Sequence, residues 1–289
     1  MDYLEKITEG KSKATIKTYK THLSKLYDLN ENFDTDNVDN VINDIKNNDF
    51  SISAKLMLLN VYILVKKLTL SKDDAIIKKL EKTRDKLKTT NQKQRIQKNK
   101  VLDKELPTYD EYKNYLTNLY NNEEWRDYIV NYLIFNYNVR NGDLYLKITD
   151  NKQDLKNKDV NYLYLLDNDI YYIRNVYKTN FSYGQKRNRI SGKKFRDAVI
   201  NYLNKYGNTR PFLFYKTNEG KQDENITYDN IGYYVKEITL NKIGEGNIMK
   251  LILKYYDNNS NYNKIKQISK NRGTDIETLL TDYNLNTKN

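Results

Sequence analysis

No cysteine occurs in the chain, which removes disulfides, thiolate nucleophiles and every cysteine-containing metal site. Histidine is reduced to one residue, His22. A transition-metal site would therefore need carboxylates alone, and no acidic cluster stands at ligand spacing. No metal and no cofactor are expected, and His22 reads as structural or as a neighbour of a phosphate. No stretch approaches the roughly 18 apolar residues of a membrane-crossing helix, and the opening MDYLEKITEG lacks the basic-then-apolar layout of a secretory signal. The expectation is an intracellular protein that does not span a membrane. Glycine and proline are also scarce, at 10 and 2 residues, so long helices meet few breakers.

What is abundant is positive charge and tyrosine. The 289 residues hold 50 Lys and Arg against 38 Asp and Glu, a surplus of 12, together with 28 tyrosines. The length suits one large or two ordinary domains. The surplus makes a polyanion the natural partner. The bias towards Asn, Lys, Ile and Tyr also fits an AT-rich genome, so the tyrosine count carries little by itself.

The pattern predicts helices first. SKATIKTYKTHLSKLYDL places Ile16, Tyr19, Leu23 and Leu26 on one side, behind a Ser12 cap and a basic flank that includes Lys13, Lys17 and Lys20. DTDNVDNVINDIKNN, SISAKLMLLNVYILVKKL and SKDDAIIKKLEKTRDKL predict three more, the last capped by Ser71. These make a small helical domain over residues 1–90. KTTNQKQRIQKNK then carries Lys88, Lys93, Arg95, Lys98 and Lys100 without an acid, and reads as a helix tail entering a basic linker, 91–106, that either crosses nucleic acid or is a solvated helix. From LPTYDEYKNYL a second domain, 107–289, opens with helices. It passes through short β-rich runs (NYLYLLDN, DIYYIRNVYK, QKRNRIS) and returns to helices up to DIETLLTDYN. The fold class expected is α+β, mainly helical, with a small three-stranded antiparallel sheet.

Four segments of the second domain carry chemistry. NYNVRNGDLYLKI sets Val139 and Arg140 after an apolar helix and Asp143 and Leu144 just beyond. Arg140 carries a planar fork able to donate two parallel hydrogen bonds, and the local reading is a pairing with Asp143 across the turn. NVYKTNFSYGQKRNRIS is a basic hairpin with Lys178, Thr179, Lys186, Arg187 and Arg189, sufficient by itself to hold phosphates. GEGNIMKLILKYY carries Asn247 and Lys250 on a helix. RGTDIETLLTDYN puts Tyr283 ten residues after Gly273. That phenol either packs in a stripe with Leu279 and Leu280 or acts as a nucleophile, which requires cations around it because its free pKa is about 10.

In this order the four segments resemble those of the tyrosine recombinases, the phage-integrase family of DNA strand-exchange enzymes. The likeness covers nearly the whole chain in layout and only a few residues in identity. It implies an N-terminal four-helix SAM-like core-binding domain, a linker and a recombinase catalytic domain. It also implies roles: Arg140 on the scissile phosphate, Lys178 (or Lys186 in another register) protonating the leaving 5′ oxygen, and Tyr283 attacking phosphorus. Asn247 and Lys250 occupy the family's His-x-x-Arg slots, and Thr274 the slot of a His or Trp. Lysine for arginine keeps the charge and loses the bidentate fork. The implied reaction is cleavage and rejoining of double-stranded DNA through a 3′-phosphotyrosine, without metal, by a monomer that assembles as a tetramer on its site. The departures leave two other readings open: a decayed DNA-binding protein of the same fold, serving packaging, replication or maintenance, and a type IB topoisomerase. Together with an AT-biased, cysteine-free composition, the resemblance implies a DNA virus or mobile element as the source.

Overall fold

The computed structural model describes residues 3–167, 169–206, 213, 215–216, 224–225 and 231–283. It divides into two units, Met1–Lys100 and Val101–Asn289.

Five helices make the first unit: α1 (Tyr3–Thr8), α2 (Lys13–Leu29), α3 (Val38–Asn47), α4 (Ile52–Lys66) and α5 (Ala75–Leu102), the last extending just past its end. Side-chain caps start three of them. Ser12 accepts from the Thr15 N–H, Asn37 from Asp39 and Ser51 from Ala54, each pairing a helix-end donor that lacks an intrahelical partner. Leu26, Phe33, Val41, Ile45, Leu58 and Tyr62 form the core, with Tyr3, Tyr27 and Tyr62 presenting edges to the Phe33 ring. α1 was not expected from the sequence. The expected Ser71 cap is replaced by Asp74, whose carboxylate accepts from the Ile76 N–H at 2.7 Å. The basic stretch 88–100 is the second half of α5, continuous helix up to Leu102.

The second unit packs α6 (Tyr109–Asn121), α7 (Trp125–Tyr137), α9 (Lys193–Tyr206), α10 (Ile231–Glu237), α11 (Gly244–Asn258), α12 (Tyr262–Arg272) and α13 (Ile276–Tyr283) with a sheet of β1 (Leu146–Thr149), β2 (Asn161–Leu166), β3 (Asp169–Arg174) and β4 (Lys186–Ile190). A four-residue helix, α8 (Asn180–Tyr183), joins β3 to β4, and the two-residue strands β5 (Tyr215–Lys216) and β6 (Glu224–Asn225) form a separate pair. Thr108 caps α6 reciprocally with Glu111. The class is α+β and mainly helical, as expected, but the sheet is four-stranded and mixed. β2 pairs antiparallel with β3 and β3 with β4, while β1 lies parallel to β2. The correction has a simple cause: Leu146–Thr149 reaches β2 through a crossover over 150–160 with no hairpin turn to announce it.

One face of the sheet, with Leu163, Ile170 and Tyr172, joins the helical core of α7, α9 and α11. Val160, Tyr162, Tyr164 and Ile173 form a smaller cluster behind it. The expected helix 227–243 is realised as α10 and a 3-10 turn, Leu240–Lys242; its first residues, 227–230, and Asn284 at the end of the last expected helix lie outside the described residues.

Candidate functional site: a cationic cluster around Tyr283

α7 ends on Asn138 in the left-handed region (φ 56°), and the chain turns into Val139, which is buried, and Arg140. Asp143 does not pair with the Arg140 side chain. Its carboxylate accepts from the Arg140 backbone N–H (3.2 Å) and from the guanidinium of Arg174 at the end of β3 (3.4 Å). The Arg140 fork is thereby left to reach across the chain, donating to the Arg272 carbonyl (2.5 Å) and to Thr274 Oγ1 (2.5 Å). Arg174 donates to the Asn271 carbonyl (2.8 Å) and Lys186, at the start of β4, to the Lys270 carbonyl (2.7 Å). Three cations from three segments thus bind three successive carbonyls at the C-terminus of α12. Helix-end carbonyls lack intrahelical donors, and the helix dipole there favours positive charge.

Arg272, the last residue of α12, is 1% exposed. Its guanidinium pairs with Glu245 of α11 at 2.6 Å and donates to the Asn138 carbonyl at 3.2 Å. Its other terminal nitrogen donates to the Tyr283 phenol oxygen at 3.2 Å, with the guanidinium 5.0 Å from the ring centre. Gly273 makes this packing possible. It is left-handed (φ 59°), and a Cβ on it would stand 2.3 Å from Thr179 Oγ1 and 3.3 Å from Lys186 Nζ. One tight break between α12 and α13 therefore delivers Arg272 to the phenol, Thr274 to Arg140, and the glycine against the β3–β4 connection.

The charge state follows the crowding. Burial first, then Arg174, brings the Lys186 ammonium down to about 8, with Arg140 adding to the effect and Asp143 opposing it. Arg140 is lowered, by burial and then by Arg272. For Arg272, burial disfavours the charge but Glu245 and Tyr283 outweigh it, and the net shift is upward. Buried side-chain atoms with no hydrogen-bond partner also gather here. Among the described residues of the second unit they are Asn141 Oδ1, Asp143 Oδ1, Arg174 Nε, Thr179 Oγ1 and Arg272 Nε. All five belong to residues of this group or the turns that carry it. Buried polar groups are ordinarily paired, and the unpaired ones of this unit, Nε of Arg174 and Arg272 and the Thr179 hydroxyl among them, concentrate at this group.

Of the residues expected from the sequence, the structure brings Arg140, Thr274, Tyr283 and Lys186 together. Lys178 does not join them: it lies outside any strand, in the turn between β3 and α8, with its side chain exposed, so the lysine of the cluster is Lys186. Asn247 and Lys250 are half-buried on α11. At about 100° per residue they sit roughly 140–160° around that helix from Glu245, which is the residue α11 gives to the cluster. Arg187 is exposed and stacks its guanidinium 4.1 Å from the Tyr171 ring centre, while Arg189 pairs with Asp169 at 2.7 Å. In the first unit, Lys17 and Lys20 are exposed on α2, as are Lys93, Arg95, Lys98 and Lys100 on α5; the Lys13 side chain is outside the described residues. His22 bonds through Nδ1 to the Thr18 carbonyl at 2.8 Å inside α2.

Sequence reasoning missed Arg174, Glu245 and Arg272. Arg174 was signalled by its phase, two and four residues from the inward Tyr172 and Ile170. Nothing local marked Glu245.

A cleft of about 260 Å³ is lined by Asp103, Pro107, Tyr109, Leu251, Lys254 and Tyr255 among others. It shares no residue with the cluster, and its lysine is already held by Asp103 at 2.6 Å. Among the described residues no group of three or more His, Cys, Asp or Glu could hold a metal, and no helix is long and apolar enough to cross a membrane. None of the family models, curated proteins or solved structures compared with the chain matches it.

Proposed function

We propose that the chain breaks and rejoins DNA strands through Tyr283, in the manner of a tyrosine recombinase. The observation that carries this reading is the convergence of Arg140, Arg174 and Lys186, from three separate segments, on the C-terminal end of α12, whose last residue, Arg272, donates to the Tyr283 phenol. A cage of fixed cations suits a phosphodiester, whose equatorial oxygens gather charge in the transition state.

In this reading Arg272 takes the place left by the lysine at position 250. Arg140 and Arg272 hold the non-bridging oxygens, and the Tyr283 oxygen attacks phosphorus. The bond to the 5′ oxygen breaks, a 3′-phosphotyrosine forms, the phenol proton is lost to solvent, and Lys186 protonates the departing 5′ oxygen. The reverse attack by a 5′ hydroxyl restores Tyr283 and the diester. Thr274 orients Arg140, as Glu245 does Arg272. The first unit serves as the core-binding domain and the second as the catalytic domain. Basic residues of both, among them Lys17, Lys20, Lys93, Arg187 and Arg189, contact phosphates. The free protein is an intracellular monomer that assembles as a tetramer on DNA.

A second reading, that of a DNA-binding protein whose chemistry has decayed, is favoured by the cations' contacts with the α12 carbonyls, which by themselves account for the buried charge of Arg174 and the half-buried charges of Arg140 and Lys186. The test is incubation with nicked duplexes of random sequence, whose short cleaved strand diffuses away and traps the adduct. Denaturing electrophoresis should show a DNA-shifted protein band that Tyr283→Phe abolishes. DNA binding without a band identifies the decayed form. Relaxation of supercoiled plasmid by the monomer identifies a type IB topoisomerase.

A further inference from the structure

The connection from β3 to β4 holds a feature the proposed chemistry does not use. On the four-residue helix α8, Asn180 turns back to donate to the Asn175 carbonyl at 2.9 Å. Tyr183 lies against Gly273 and under the Lys186 ammonium, 5.2 Å from its ring centre. Phe181 falls between them in sequence. At about 100° per residue it points away from both, and it is fully exposed. A whole phenyl ring in water loses the benefit of burial, roughly 25 cal/mol for each Å² of apolar surface.

The surroundings specify a partner. Between Asp169 and Asp197 there is no acid, against eight basic residues; Arg174 is buried against Asp143 and Arg189 pairs with Asp169, which leaves Lys178, Lys186, Arg187, Lys193, Lys194 and Arg196. An aromatic ring rising from a segment rich in cations and free of acids, five residues before Lys186 of the cluster, suits a base beside a bound phosphate.

We infer that Phe181 is a stacking residue for a nucleobase displaced from the duplex next to the phosphate held at the Tyr283 cluster. This rests on the DNA reading above. Ring and base associate through their faces, with little regard to sequence, and the surrounding lysines and arginines hold the flanking backbone. The preferred ligand is DNA that is already unpaired or easily opened at that step, because less stacking is lost on displacing the base.

The test is made with the full chain. Phe181→Trp adds a second tryptophan to Trp125, the only one present, and the emission change relative to the parent protein is followed. The ligands are a short duplex, the same duplex with a central unpaired bubble, and anionic phospholipid vesicles. Quenching of the added tryptophan by bubble DNA, above that by duplex, is expected. Phe181→Ala should weaken bubble binding about 5- to 150-fold, the range for loss of one stacked base, and change duplex binding by about twofold or less. DNA binding by the parent without quenching, or equal effects of Phe181→Ala on both DNAs, overturns the inference and leaves the DNA reading standing. A parent chain that binds neither DNA overturns both. A blue shift with vesicles alone assigns the ring to a membrane surface and also overturns it.

Discussion

Removal of Glu245 is the most direct probe of the cluster. The Glu245–Arg272 pair is closed to water on the arginine side, with side-chain exposures of 10% and 1% and a separation of 2.6 Å. Glu245→Ala leaves the guanidinium with the Asn138 carbonyl and the Tyr283 phenol as its acceptors, neither of them charged. Breaking a buried pair from one side strands the other charge, at a loss of about 3–5 kcal/mol. For a domain the size of the second unit this lowers Tm by about 6–20 °C, taking 2–4 °C for each kcal/mol. Arg272→Met should lose less, since no unpaired guanidinium remains. The double variant should be no worse than Glu245→Ala, a coupling of about 2–3 kcal/mol. Thermal and urea unfolding of the four proteins of this cycle give the result. A loss below about 1 kcal/mol for Glu245→Ala, or strict additivity, would mean that the pair does not hold Arg272, and the argument placing this arginine at the phenol would fall with it.

Lys186 supplies a pH dependence. Its folded-state pKa of about 8 lies below its ordinary 10.5, so the folded chain binds fewer protons than the unfolded one between those values, and this group's contribution to stability rises with pH across that window. In the proposed reaction, where it is the proton donor, it behaves oppositely: single-turnover cleavage under kcat/KM conditions should fall as pH rises through about 8, and Lys186→Ala should flatten the fall while Lys178→Ala leaves it in place; the reverse pattern would return the role to Lys178. Gly273→Ala should destabilise by about 2–5 kcal/mol, combining left-handed strain with overpacking against Thr179. Adding Thr179→Ala should recover the packing part in urea unfolding, and no recovery would refute the contact. DNA affinity measured against salt should show a steep log–log slope, and Arg187→Ala should reduce that slope by about 1.

Local chemistry carried most of the element assignments. α2 begins where Ser12 says it should, because a cap is a short-range bond between a side chain and the next turn. β2, β3 and β4 follow from β-rich runs bounded by turns. The unbroken α5 was legible too, since no glycine or proline falls between Ala75 and Leu102, but its polarity argued for a linker. β1 was hidden because parallel pairing is a long-range choice. The site divides in the same way. Arg140, Thr274 and Tyr283 stand at spacings the sequence displays, whereas Glu245 and Arg272 are partners only through the packing of α11 against α12. Choosing between Lys178 and Lys186 needed the position of α8, which places one lysine outward and the other under Tyr177 and Tyr183.

The break at Gly273 separates two jobs. Arg272 stays clamped by Glu245 on the α12 side, while the phenol rides on the far side of a residue with left-handed freedom. If the proposed chemistry holds, withdrawal of the last helix would remove the nucleophile while Arg272 keeps its contacts with Glu245 and Asn138. On that reading, strand cleavage is lost or paused by a change confined to the last helix, while Arg174 and Lys186 stay on the α12 carbonyls.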